Sequence, residues 1–210
     1  GVKVDREHVR ALFRAAADLL HDGHSVERFD PSYPTPVAVA ALARWFAGTA
    51  IDAEHLDPSL LEPRIRRHAA IGRVVLDRGL VRDGARDSWI ESSTEMLTTY
   101  DVLMTPVLAS APIAAKRWGD TSWAATMAAM VPWAPFAAPW NLAGFPAMTV
   151  PAGVHPEHGT PMSVQLVARP GRERTLLSLA RSIERLRPWP RTPPPPPPPP
   201  PPPRPWPPPR

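Results

Sequence analysis

Residues 147–187 read "AMTVPAGVHPEHGTPMSVQLVARPGRERTLLSLARSIERLR". Met162, Val164 and Leu166 recur in the second apolar run at the two-residue period of a strand with one buried face. The loop from His155 to Thr160 carries Gly159, as a connection between two paired strands requires. From about Arg172 to Arg187 the period lengthens: Leu176, Leu179, Ala180, Ile183 and Leu186 fall on one helical stripe, with arginines elsewhere. Strand, strand and covering helix make this an α/β protein, with helices packed on a mixed β-sheet.

Working outward, "PFAAPWNLAGFP" (135–146) is apolar yet broken by Pro135, Pro139, Gly144 and Pro146. Loops are usually polar, so such a stretch predicts irregular backbone that is packed inside and lines a cavity. Upstream, the spacing predicts a short apolar helix over 121–131 and a buried strand in "YDVLMTPVLASAPI", stopped at Pro106. A helix is predicted over 86–99, its apolar face formed by Trp89, Ile90, Met96 and Leu97. Two more fall over 36–47 and 58–79, with Pro58 and Pro63 in the first turn or at a break. Near the start, Asp5 can cap a helix whose stripe is Val9, Leu12, Phe13, Ala16, Leu19 and Leu20, ended by Gly23. "HSVERFD" (24–30) then alternates like a short strand. A helix–strand unit with no strand before it predicts a chain that begins inside a larger domain, and the absence of an initiating Met fits a fragment or a processed chain.

Composition divides the chain into a body, 1–190, and a tail, 191–210. The run Pro193–Pro203 supplies no backbone donors and has its φ angles fixed, so the tail is expected to be polyproline II or disordered. It resembles a ligand for an aromatic groove, or what a shifted reading frame through GC-rich DNA would encode. The formal charge is +4, but the basic residues interleave with acids, and "RIRR" (64–67) reads as a solvated helix face, so no nucleic-acid partner is expected. The chain has no cysteine, which excludes a disulfide scaffold, a thiolate nucleophile and a zinc ribbon. No apolar run approaches the 18 or so residues of a membrane span, so a soluble, cytoplasmic protein is expected. Self-association into a homo-oligomer is left open.

The chemistry-bearing residues do not assemble into a complete set. His21 with His24 and His155 with His158 lack a third ligand, the second pair reading as an exposed hairpin loop, so no metal is expected. Ser92 and Ser93 lie mid-helix, as surface positions, without the glycine-rich turn that raises a nucleophile toward oxyanion donors. No phosphate-binding glycine loop is present.

From Tyr100 onward the motifs "YDVLMTP", "PWNLAGFPAMTVPAG" and "GTPMSVQLVARPGRERTLLSLARSIERLRPW" resemble, in order and spacing, the C-terminal half of amidase-signature hydrolases. "DGHSVERFDPSYP" resembles the actinobacterial members, and the likeness covers 1–190. It implies the C-terminal part of the amidase-signature fold, and cleavage of carboxylic amides to carboxylate and ammonia without metal or cofactor. In that family a Lys acts through a bridging Ser on a nucleophilic Ser, and backbone N–H groups hold the oxyanion. The Gly/Ser-rich stretch that carries those serines is missing here, and neither Lys3 nor Lys116 has the right context, so no catalytic residue is carried over. The chain alone is expected to be inactive, acting on a small-molecule amide once an N-terminal half completes it. The resemblance places Thr105, Pro106, Trp140, Asn141 and Gly144 near the substrate cleft as candidate pocket wall. Asn141 is expected to bond nearby loop backbone, and Trp133, Phe136 and Trp140 to pack as a loop core.

Overall fold

The computed structural model describes residues 2–189; the polyproline tail lies outside the described residues. Seven α-helices and three strands follow one another as α1 (Arg6–His21), α2 (Thr35–Ala53), α3 (Pro63–Asp77), α4 (Gly84–Thr99), β1 (Leu103–Pro106), α5 (Trp123–Trp133), α6 (Ala138–Ala143), β2 (Ala147–Val154), β3 (Pro161–Val167) and α7 (Glu173–Leu186). Within these residues the sheet is antiparallel, in the order β1-β3-β2.

Because β3 is central, it buries both faces. Met162, Val164 and Leu166 point to one side, where they join Val150 and Ala152 of β2, Ala11, Ala15 and Leu19 of α1, and Leu176 and Ile183 of α7. Val167 points to the other, packing with Leu103 of β1, Val37 of α2, Trp89 and Leu97 of α4, and Trp140 of α6. Each fully buried Val or Leu contributes about 1.5–3 kcal/mol, so this one strand anchors two cores. The α7 stripe is as the sequence predicts, and α7 is further fixed to α1 by paired Arg185–Asp22 and Arg187–Asp18 contacts of 2.7 Å.

Three expectations are corrected. The α1 residues facing the sheet are His8, Ala11, Ala15 and Leu19, whereas Phe13 and Leu20 are 49% and 59% exposed. Small side chains let α1 approach the sheet closely, which turns its bulkier residues aside. Residues 24–30 form no strand, since a strand needs a ladder partner and none lies beside them among the described residues. The stretch expected to be irregular contains α6, a short helix with Pro139 in its first turn and Gly144 as its left-handed C-cap at φ 73°.

In β2 the register with β3 shifts between Pro151 and Gly153, a bulge accommodated by Gly153 at φ 125°. The helices α2 and α3 form a close pair. A Cβ added at Gly72 of α3 would lie 2.7 Å from the Phe46 carbonyl carbon and 2.8 Å from the Ala50 Cβ, whereas one at Gly48 of α2 meets nothing within 4 Å. Opposite outcomes are therefore expected from the same substitution. Gly72→Ala should destabilise by about 1–3 kcal/mol through overpacking, and Gly48→Ala should stabilise by up to about 1 kcal/mol through helix propensity, both measured by urea denaturation.

Candidate functional site

Strand pairing aligns three polar residues across the sheet: Thr105 of β1 and Thr149 of β2 both sit opposite Gln165 of β3. Thr105 and Gln165 are buried, while Thr149 and its neighbour Ala147 are exposed, so one end of the row reaches solvent. The Gln165 amide donates to the Thr105 hydroxyl at 3.3 Å and to the Phe136 carbonyl at 3.1 Å. The Thr105 hydroxyl in turn donates to the Pro106 carbonyl at 3.0 Å. Gln165 thereby ties the sheet to the loop that leads into α6.

The short helix α6 is held from the other side by α4. The Trp89 indole donates to the Pro139 carbonyl at 2.9 Å, and Arg86 Nε donates to the Leu142 carbonyl at 3.1 Å. Trp140 is fully buried, its ring 5.1 Å from Trp89, 6.0 Å from Phe145 and 6.4 Å from Tyr33. Burial pushes the Tyr33 phenol up to about 12, and the neighbouring Trp140 indole counters this only in part. Of the five candidate residues, Thr105 and Pro106 thus lie buried on β1 and Trp140 is a core residue. Asn141 and Gly144 are exposed at the far end of α6. Asn141 makes no side-chain hydrogen bond among the described residues, so it does not pin the loop; Gln165 does so instead. Gln165 was missed in the sequence, although an amide inside the apolar run "PMSVQLV" is the signal that could have found it.

The serines and histidines also differ from expectation. Ser93 is buried at 1% exposure, on the α4 face shared with Trp89 and Leu97, rather than on the surface. His155 is likewise buried at 2% rather than exposed. Its Nδ1 accepts the Glu157 and His158 backbone N–H groups, and its Nε2 lies 3.6 Å from Asp5 at the start of α1. The backbone N–H of Glu7 holds the Asp5 carboxyl below its usual range. His8 sits beside this pair, its ring 6.1 Å from that of His155. Among the described residues no group of three His, Cys, Asp or Glu is arranged to hold a metal. Nor is any helix long and apolar enough to cross a membrane.

A family model described as Amidase matches residues 1–177. This chain belongs to the amidase family. It is 35% identical over 190 residues to AmiB2 of Mycobacterium tuberculosis, covering 90% of this chain and 41% of that protein. It is 28% identical to an acylamidase of Rhodococcus erythropolis, covering 89% of this chain and 40% of the other. Its fold matches the structure of 6-aminohexanoate cyclic dimer hydrolase with a TM-score of 0.66 at 21% identity, covering 89% of this chain and 42% of that one. The chain therefore spans about two fifths of the length of these amidase-family relatives. The likeness to solved structures establishes the amidase-signature fold, of which the three-strand sheet and its flanking helices are a part.

Replacing Gln165 by Leu should leave the Phe136 carbonyl without its donor, and stability measured in urea should fall by about 1–3 kcal/mol. Acid should weaken the fold through His8 and His68, whose pKa values burial lowers from the ordinary 6.5. Both are held neutral when folded and protonate freely when unfolded. Their contribution is complete above pH 6.5 and declines as pH falls from there toward the lowered folded values. Denaturation midpoints from pH 8 to pH 5 should show this decline, and a His8→Phe/His68→Phe double variant should show less of it.

Proposed function

We propose that this chain is the C-terminal portion of an amidase that hydrolyses carboxylic amides to carboxylate and ammonia. In this reading the nucleophilic serine, its bridging serine and the lysine base belong to polypeptide the chain does not contain. The single observation that carries it is the family match over residues 1–177, in a chain that spans about two fifths of its relatives. The absence of a Gly/Ser-rich nucleophile segment from the sequence supports the division of labour. Without nucleophile and base, acyl transfer loses many orders of magnitude in rate.

The part assigned to this chain is pocket wall. The row Thr105, Gln165 and Thr149 opens to solvent at Thr149, and Asn141 and Gly144 lie exposed on α6. A polar row across three paired strands can orient an amide against chemistry supplied from elsewhere. Gln165 already has its amide N–H groups committed to Thr105 and Phe136, so it acts by holding the wall in place.

The purified chain should release no more ammonia from simple aliphatic and aromatic amides than a heat-killed control. Release above that control would refute the assignment of catalysis to absent residues. Co-expression with the N-terminal part of AmiB2 should produce activity. In that assembly Thr149→Trp, at an exposed position, should raise KM at least tenfold while kcat changes less; an unchanged KM would remove Thr149 from the wall.

A further inference from the structure

The turn that joins β2 to β3 closes on the start of α1, and titratable groups from both meet there. His155 of the turn and His8 of α1 are buried, and Asp5 caps the helix beside them. We infer that His155 is a pH-sensitive latch: with a single ring proton it closes residues 155–160 into a turn seated against α1, and on taking a second proton it must let that turn go.

The hydrogen bonds of the ring decide where its one proton sits. Nδ1 accepts the backbone N–H groups of Glu157 at 3.2 Å and of His158 at 3.4 Å, so it presents a lone pair. The proton is therefore on Nε2, which lies 3.6 Å from an Asp5 carboxylate oxygen. A second proton, taken from solvent, can enter only at Nδ1, where two donors already point. An N–H there faces two other N–H groups and accepts nothing, so both bonds are lost and the buried turn must rearrange.

The surroundings add to this more than they relieve it. Neither ring nitrogen of His8 has a hydrogen-bond partner among the described residues, and its ring is 6.1 Å from that of His155. Burial lowers the His8 pKa from the ordinary 6.5; Asp5 opposes that shift and His155 reinforces it, so His8 gains its charge only as pH falls below the ordinary value. Two charged rings at this spacing repel each other. His158, exposed in the turn, has its ring 4.5 Å from that of His155 and brings a further positive charge when protonated. Arg14 of α1 places its guanidinium at β2, 3.9 Å from where a Cβ on Gly153 would lie, and Glu157 is exposed. Asp5 attracts an imidazolium, but its side chain is 39% exposed and already accepts the Glu7 N–H, and it offers no acceptor to the two N–H groups that Nδ1 releases.

The flanking structure is held independently. The Asp5 N–H donates to the Ala109 carbonyl at 2.7 Å, and Val154 pairs with Pro161 at the end of the β2–β3 ladder. Opening is thus confined to the turn between fixed ends. It is a local event, distinct from the global loss of stability that buried His8 and His68 bring on in acid.

Hydrogen exchange of single amides in the full chain, followed by NMR from pH 8 to pH 5, tests the latch, each rate being divided by that of an unstructured peptide at the same pH. Protection of the Glu157 and His158 amides should fall at least tenfold, while Val164 and Leu166 of β3 keep theirs. His155→Asn supplies a carbonyl oxygen near the place of Nδ1 and does not titrate, so protection of the same two amides should no longer change with pH. His158→Asn should leave the fall in place. Ring nitrogen signals of the unmodified chain give a second reading: at pH 8 His155 should carry its proton on Nε2 with Nδ1 bare, and both nitrogens should be protonated where the turn opens. Constant protection of Glu157 and His158 down to pH 5, a parallel loss in β3, a fall that survives in His155→Asn, or a proton on Nδ1 at pH 8 would each overturn the inference.

Discussion

The structure depends on the requirement that β3 be buried on both faces. A strand with one solvated face would need a single covering layer. Here Met162, Val164 and Leu166 demand α1 and α7 on one side, while Val167 and Gln165 demand α4 and α6 on the other. The second layer cannot be wholly apolar, because Gln165 carries two donors into it. The Phe136 carbonyl and Thr105 hydroxyl satisfy that amide, and in doing so they fix the loop that begins α6. Trp89 and Arg86 complete the attachment by bonding carbonyls of α6. A helix of six residues, too short to be stable alone, is thus held by its neighbours.

The elements with strong period were legible in the sequence. The β2–β3 pair and α7 appear where their spacing places them, and the Asp5 carboxylate caps α1 as expected, accepting from the Glu7 N–H. What was not legible depended on partners. The alternation in 24–30 is a strand's, yet alternation specifies only side-chain faces, while the ladder must come from another segment. The spacing of α1 gives a bulky apolar stripe, but hydrophobicity alone does not say which neighbour a face meets. Small residues at Ala11 and Ala15 decided the closer contact.

The candidate site was legible in part. Thr105, Pro106 and Gly144 are candidates through the family resemblance; the residues alone give the end of β1 at Pro106 and a break at Gly144, which adopts a left-handed conformation after α6. Gln165 was not, because a lone amide in an apolar run acquires meaning only once register sets Thr105 and Thr149 beside it. The burial of His155 was not legible for a similar reason: a histidine next to Pro156 and near Gly159 reads as loop, and the start of α1 that covers it is far away in sequence.

The two edges of the sheet are unequal. At β2, Pro151 withholds a donor and the bulge at Gly153 twists the strand out of line, so a neighbour attempting to pair there meets an interrupted edge. The opposite edge has no such interruption before Pro106. The sheet therefore has a direction of growth, and contact between copies through their β2 edges is discouraged by the same irregularity that leaves β1 as the side where further strands can be added.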